Sequence, residues 1–195
     1  MPGRLFLSSD PGLGLDADGP RFNMAPGEEL QVLTEQGAAR MRWGMIPVGR
    51  VNARGRPVME TIINARSETV FDKSAFDGVR RAVLPVDGWY EWTGEKRRKT
   101  AWRIARTDGA LIWFAAIYDV WTAPGGTQLP QVATVTCAPS ADVRDIHHRM
   151  GVILEKDQIS TWLGEDEAPA RALMVPFRDG GLVVSEASDV DWTAP

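Results

Sequence analysis

Cysteine, histidine and long apolar runs are what this 195-residue chain has least of, and each scarcity excludes a class of chemistry. The single cysteine, Cys137, closes no internal disulfide. Two histidines, with no CxxC or HExxH spacing, do not make a zinc site, so neither a metal nor another cofactor is expected. No stretch approaches the roughly 20 apolar residues of a membrane span, and the polar, glycine-containing start does not resemble a signal peptide. These features predict a cytoplasmic chain with no membrane partner. A composition of 44% hydrophobic and 25% charged residues suits one globular core, and a single domain over residues 1–195, acting as a monomer, is expected.

The formal net charge of -4 argues against a protein that coats nucleic acid indiscriminately, but it is unevenly spread. Residues 1–106 hold 17 Lys+Arg against 13 Asp+Glu, and residues 107–195 hold 5 against 13. The basic half is rich in arginine, at Arg4, Arg21, Arg40, Arg42, Arg50, Arg54, Arg56, Arg66, Arg80 and Arg81. A planar guanidinium fork suits phosphate oxygens, although any one of these side chains equally fits a solvated surface.

Runs rich in β-branched and aromatic residues predict strands at 29–34, 38–46, 80–93, 100–106, 110–121, 129–137 and 181–187. The links "TGEKRRK" and "TDG" read as hairpin turns. The expected fold is therefore α+β, a mostly antiparallel, barrel-like curved sheet flanked by a few short helices. Helices are predicted at "ADVRDI" with Ser140 as N-cap, at 155–163, and at 168–174 with Pro169 near its start.

Several polar residues interrupt these patterns. Asn64 and Arg66 follow two β-branched residues in "IINARSETV". Glu91 sits inside the aromatic strand "DGWYEW", where alternation puts Trp89 and Glu91 on one face and Tyr90 and Trp92 on the other. A carboxylate in an apolar pocket has a raised pKa and can serve as general acid or base. The alternative is a strand carboxylate facing solvent or paired with arginine. "DIHHRMG" places His147 and His148 at a predicted helix-to-strand junction, where a side chain can point into a cleft or simply be satisfied structurally.

Together "RFNMAP" (21–26), "RWGMIP" (42–47), "NARSET" (64–69), "LPVDGWYEW" (84–92) and "IHHRMGVIL" (146–154) resemble the SOS response-associated peptidase (SRAP) family, in family order and over most of the chain. The resemblance implies a cytosolic or nucleoid DNA-damage protein whose partner is single-stranded DNA containing abasic sites. In the family a mature N-terminal cysteine captures the sugar aldehyde as a thiazolidine, after autoproteolytic loss of the initiator methionine. The assisting residues correspond by motif to Asn64, Glu91 and His147. DNA contacts correspond to Arg4 and Arg66, with Trp43 a candidate for base stacking.

Two departures stand out. Where the family motif starts Met-Cys-Gly-Arg, this chain reads Met1-Pro2-Gly3-Arg4, and without the thiol no thiazolidine forms. Gly151 stands where the family has proline, and only a local backbone difference is expected. Pro2 keeps an amine, exposed if Met1 is removed, and a secondary amine condenses with an aldehyde to an iminium. The catalytic set expected is thus Pro2, Asn64, Glu91 and His147, giving an abasic-site lyase through a transient Schiff base. The competing expectation is a noncatalytic module that binds single-stranded or junction DNA. A small-molecule hydrolase using Glu91 and His147 ranks last, because nothing in the sequence selects its substrate.

Overall fold

Alternating apolar residues organise the chain into two sheets that share one core. The computed structural model describes residues 2–16, 19–47, 61–95, 98–123 and 125–193; Met1, Arg50, Arg54, Arg56 and two residues of the "TGEKRRK" link lie outside them. Five strands, β1 (Arg4–Leu7), β2 (Arg21–Met24), β7 (Gly88–Glu95), β8 (Arg98–Arg106) and β13 (Leu182–Glu186), form an antiparallel sheet in the order β13-β8-β7-β1-β2. The other sheet contains β3 (Glu29–Thr34), β4 (Gly37–Trp43), β6 (Arg80–Val86), β9 (Ile112–Thr122) and β10 (Gln128–Cys137). Its pairings run β10-β4-β3-β6-β9 and return from β9 to β10, which closes a five-stranded barrel. Closure leaves these strands no free edge, the physical gain of a barrel over an open sheet.

The expectation of a barrel-like, mostly antiparallel fold with few short helices is met, with parallel pairings where β10 meets β4 and the short β5 (Asn64–Arg66). Short strands β11 (Met150–Gly151) and β12 (Ile153–Leu154) attach to β10 and β9. Helices α1 (Ile159–Leu163) and α2 (Glu167–Ala172) lie after a 3-10 turn at Lys156–Gln158, whose entry is a capping box of Glu155 and Gln158. Trp162 of α1 is fully buried and its indole N–H donates to the Ala82 carbonyl at 2.8 Å.

Three local expectations fail. The single run predicted at 80–93 is two strands in different sheets, because the chain turns at Asp87. Its carboxylate accepts the Ser8 backbone N–H at 2.6 Å, and its own N–H donates to the Phe6 carbonyl at 2.9 Å. Gly88 completes that corner. A Cβ there would lie 2.1 Å from the Ile104 carbonyl and 2.6 Å from the Phe6 ring, so no side chain fits. "TDG" is not a hairpin turn, since it joins β8 of one sheet to β9 of the other. The "ADVRDI" segment closes as successive turns rather than a helix, and Ser140 Oγ caps nothing. Asp142 faces outward to accept the N–H groups of Gly180 at 3.0 Å and Leu182 at 3.1 Å, anchoring the turns to β13.

Candidate active site at the chain start

The site is assembled where β1, β5, β7 and the turn before β11 approach the N-terminus. In β7 the alternation read from the sequence holds: Trp89 joins the main core, and Tyr90 and Trp92 join a separate cluster on the opposite face. Glu91 is on the Trp89 side and only 4% exposed. Burial pushes its carboxyl up to about 7, against the opposing pull of the positive charge at the chain's N-terminus. The pairing of β1 with β7 sets Arg4 opposite Tyr90, so the same register carried one residue on brings Gly3 opposite Glu91.

Asn64 reaches the chain start from the other sheet. Its Nδ2 donates to the Pro2 carbonyl at 2.9 Å, and its Oδ1 accepts the hydroxyl of Thr134. Thr134 thereby fixes which way the amide points, a role that the motif reading missed. Its signal is present in "ATVTC", where Thr134 and Thr136 alternate with apolar residues yet are fully buried. Pro2 is itself buried.

His147 is half-buried, stacked on exposed His148 with ring centroids 4.3 Å apart. Burial lowers its pKa to about 4, and the N-terminal positive charge acts in the same direction. His147 Nδ1 lies 3.0 Å from the Arg149 N–H and 3.1 Å from the Arg149 carbonyl. Either neutral tautomer is therefore satisfied at Nδ1. Arg149 is a second residue the motif reading missed. It holds Glu68 of "NARSET" through both guanidinium nitrogens, with Nη2 to Oε2 at 2.9 Å, and Nη2 also donates to the Thr136 carbonyl. Glu68, brought down to about 2 by Arg149, locks "NARSET" and "IHHRM" together.

The charge inversion is the chemical content of the arrangement. A carboxyl that titrates near 7 and an imidazole that stays neutral down to about 4 both respond to the chain's N-terminal charge. A carboxyl raised to about 7 can give or take a proton near neutral pH, whereas the imidazole stays neutral there. The lone thiol takes no part: Cys137 is 2% exposed and burial pushes it up to about 12. Among the described residues no cluster of three or more His, Cys, Asp or Glu could hold a metal ion.

The expected DNA contacts divide. Arg66 is exposed on β5, on the same face as Asn64. Arg4 is partly buried, and its Nη1 donates to Asn23 Oδ1 at 2.5 Å. Trp43 offers no ring to a base: it is 0% exposed in the main core, with its indole N–H donated to the Ile63 carbonyl at 3.1 Å. Its position at the end of β4 turns the side chain into the barrel, and the base-stacking expectation is withdrawn for it. Gly151 is more than a backbone variation. A Cβ there would stand 2.3 Å from the Phe114 ring, which fills the space a side chain would need.

Comparison with known proteins bears on this geometry. YoaM of Bacillus subtilis, an abasic site processing protein, is 31% identical over 169 residues, covering 81% of this chain and 73% of YoaM. HMCES of Gallus gallus, also an abasic site processing protein, is 32% identical over 166 residues, covering 71% of this chain and 48% of HMCES. A crystal structure of a Bordetella bronchiseptica protein superposes with a TM-score of 0.79 at 24% identity, covering 95% of this chain and 99% of that one. Residues 12–190 match the model of the SOS response associated peptidase (SRAP) family, and with the fold and the five motifs in place the chain belongs to that family.

Proposed function

We propose that this protein recognises abasic sites in single-stranded DNA and processes them through a transient Schiff base on Pro2. The observation that carries the proposal is the convergence on the chain start: Asn64 donates to the Pro2 carbonyl at 2.9 Å, and the β1–β7 register brings Gly3 opposite the buried Glu91. The relatives' names as abasic site processing proteins supply the substrate class. Arg4 and Arg66 are the phosphate contacts.

The chemistry requires a free Pro2 amine, hence loss of Met1. The amine adds to the open-chain sugar aldehyde, and the resulting carbinolamine loses water to give an iminium cation. The protonated form of Glu91 suits donation of a proton to the departing hydroxyl. Neutral His147 or ionised Glu91 then removes a C2' proton, and the electron pair shifts to expel the 3'-phosphate. Water hydrolyses the unsaturated iminium, releasing aldehyde and restoring the amine. The family's stable crosslink is absent because no sulfur is there to close the ring.

One observation favours a second reading, a noncatalytic module for single-stranded or junction DNA: Pro2 is buried. Intact mass of protein from cells, with borohydride trapping on abasic single-stranded DNA, separates the two. Absence of the Met1 mass and a borohydride-dependent adduct support the lyase. Retained Met1 and no adduct, with binding that falls as salt rises, sink it and leave the binding module.

A further inference from the structure

The face of the five-stranded sheet turned away from the main core is aromatic. Phe6, Tyr90 and Trp92 lie there on neighbouring strands, and the Arg103 guanidinium is 5.8 Å from the Phe6 ring centroid and 5.9 Å from that of Tyr90. Aromatic side chains spread over a sheet with arginine among them form the kind of surface on which unpaired bases stack.

The chain covers this surface with its own C-terminal segment, residues 187–193. Ala187 N–H donates to the Ala101 carbonyl at 2.9 Å. Trp192 meets Tyr90 edge-on at 5.0 Å and leans on Trp92 at 5.3 Å. Asp189 accepts Arg103 at 3.0 and 3.1 Å. The segment therefore presents an aromatic ring to the aromatic residues and an anion to the arginine, the two features that a nucleotide would present. The cover is incomplete. Along its edge a groove of about 570 Å³ opens, bordered by Phe6, Phe22, Arg103, Asp189 and Val190, and Phe22 stands 51% exposed beside it. Arg4 is tied to the cover as well, through Asn23, whose Nδ2 is 3.5 Å from the Asp191 carbonyl.

We propose that this sheet face is a stacking platform for single-stranded DNA and that residues 187–193 are its displaceable, nucleotide-like cover. A base enters the groove beside Phe22, the phosphate takes Arg103 from Asp189, and the indole of Trp192 gives way to further bases. The platform deepens the DNA-binding reading above, yet it requires neither an abasic site nor a free Pro2 amine.

The test uses the full chain and an undamaged dT oligonucleotide of about ten nucleotides, long enough for one such surface. Fluorescence anisotropy gives affinity, and hydrogen exchange reads the Ala187 amide. Binding is expected to deprotect the Ala187 amide, whose hydrogen bond to the Ala101 carbonyl holds the segment on the sheet. Asp189→Asn with Trp192→Ala loosens the cover and is expected to tighten binding about tenfold, the scale of one base–aromatic stack. Arg103→Gln added to it is expected to cancel the gain. Should the double variant fail to fold, Asp189→Asn alone tests the same idea with a smaller gain, since that side chain is 67% exposed. Unchanged affinity in a variant that keeps the native circular dichroism, or an Ala187 amide that stays protected in the complex, overturns the platform. Failure of borohydride trapping on abasic DNA leaves both readouts unaffected and counts only against the lyase.

Discussion

The two faces of β7 receive adjacent residues of one aromatic run and put them to opposite uses. Trp89 and Glu91 face inward, one filling the core and the other held where burial keeps its carboxyl protonated up to about 7. Tyr90 and Trp92 face outward, onto a surface that residues 187–193 close among the described residues. The inner face spends packing on tuning one proton. The outer face carries contacts whose partners can exchange, since Arg103 is 30% exposed and its Asp189 partner more so.

The sharpest way to break that contrast is to delete one indole from each face. Trp89 is 0% exposed and packs edge-on against Phe114 at 5.4 Å, so Trp89→Ala is expected to cost about 3–5 kcal/mol in urea unfolding. Trp92 is only partly buried, and Trp92→Ala is expected to cost about 1–2 kcal/mol. Equal costs would mean that the outer cluster is as much a part of the core as the inner one.

The pH dependence of Glu91→Gln tests the inner face electrically. The folded pKa of Glu91 is raised from 4.5 to about 7, so the wild type has the full benefit of the neutral carboxyl below pH 4.5 and loses it as pH rises to about 7. Glutamine never ionises. The variant's stability relative to wild type should therefore increase across that window, by about 3 kcal/mol in total. His147 has the opposite sign: its pKa falls from 6.5 to about 4, so its stabilisation is complete above 6.5 and lost as pH falls toward 4. A His147→Gln variant should flatten the acid limb, and thermal melts of both variants at pH 4 to 8 check the pair.

On the outer face, Arg103→Gln removes a mostly surface ion pair and two cation–π contacts, and about 1 kcal/mol of destabilisation is expected. A loss of several kcal/mol in chemical denaturation would mark the cover as fixed. The smallest effect is expected at Glu68→Gln. Its carboxylate is 56% exposed and solvent screens the pair, so less than about 1 kcal/mol should be lost at pH 7. Reduced abasic-DNA adduct formation in that variant would still show that Arg149 positions His147.

Strand existence was legible because β-branched and aromatic runs need a pleated, half-buried surface; the run at 29–34 became β3 without a residue's change. β1, β2 and β5 were not legible as strands, since each is three or four residues long and is held by partners distant in sequence. Asn64, Glu91 and His147 were singled out by motif, whereas Thr134 left only the trace of a hydroxyl among the apolar residues of "ATVTC", and the side-chain contacts of Arg149 with Glu68 and Thr136 join segments far apart in sequence. Trp43 shows the limit from the other side: an aromatic in a family motif looked like a stacking residue until its strand turned it into the barrel.

The sequence by itself determined the family motifs, the alternation along β7 and the proline at position 2, because residue identity and a period of two need no distant partner. Only the tertiary structure decided that Glu91 is desolvated, that Asn64 reaches the chain start across two sheets, and that a C-terminal tryptophan covers the aromatic face. Each depends on burial or on pairing between segments far apart in the chain, and those are properties of the packed molecule.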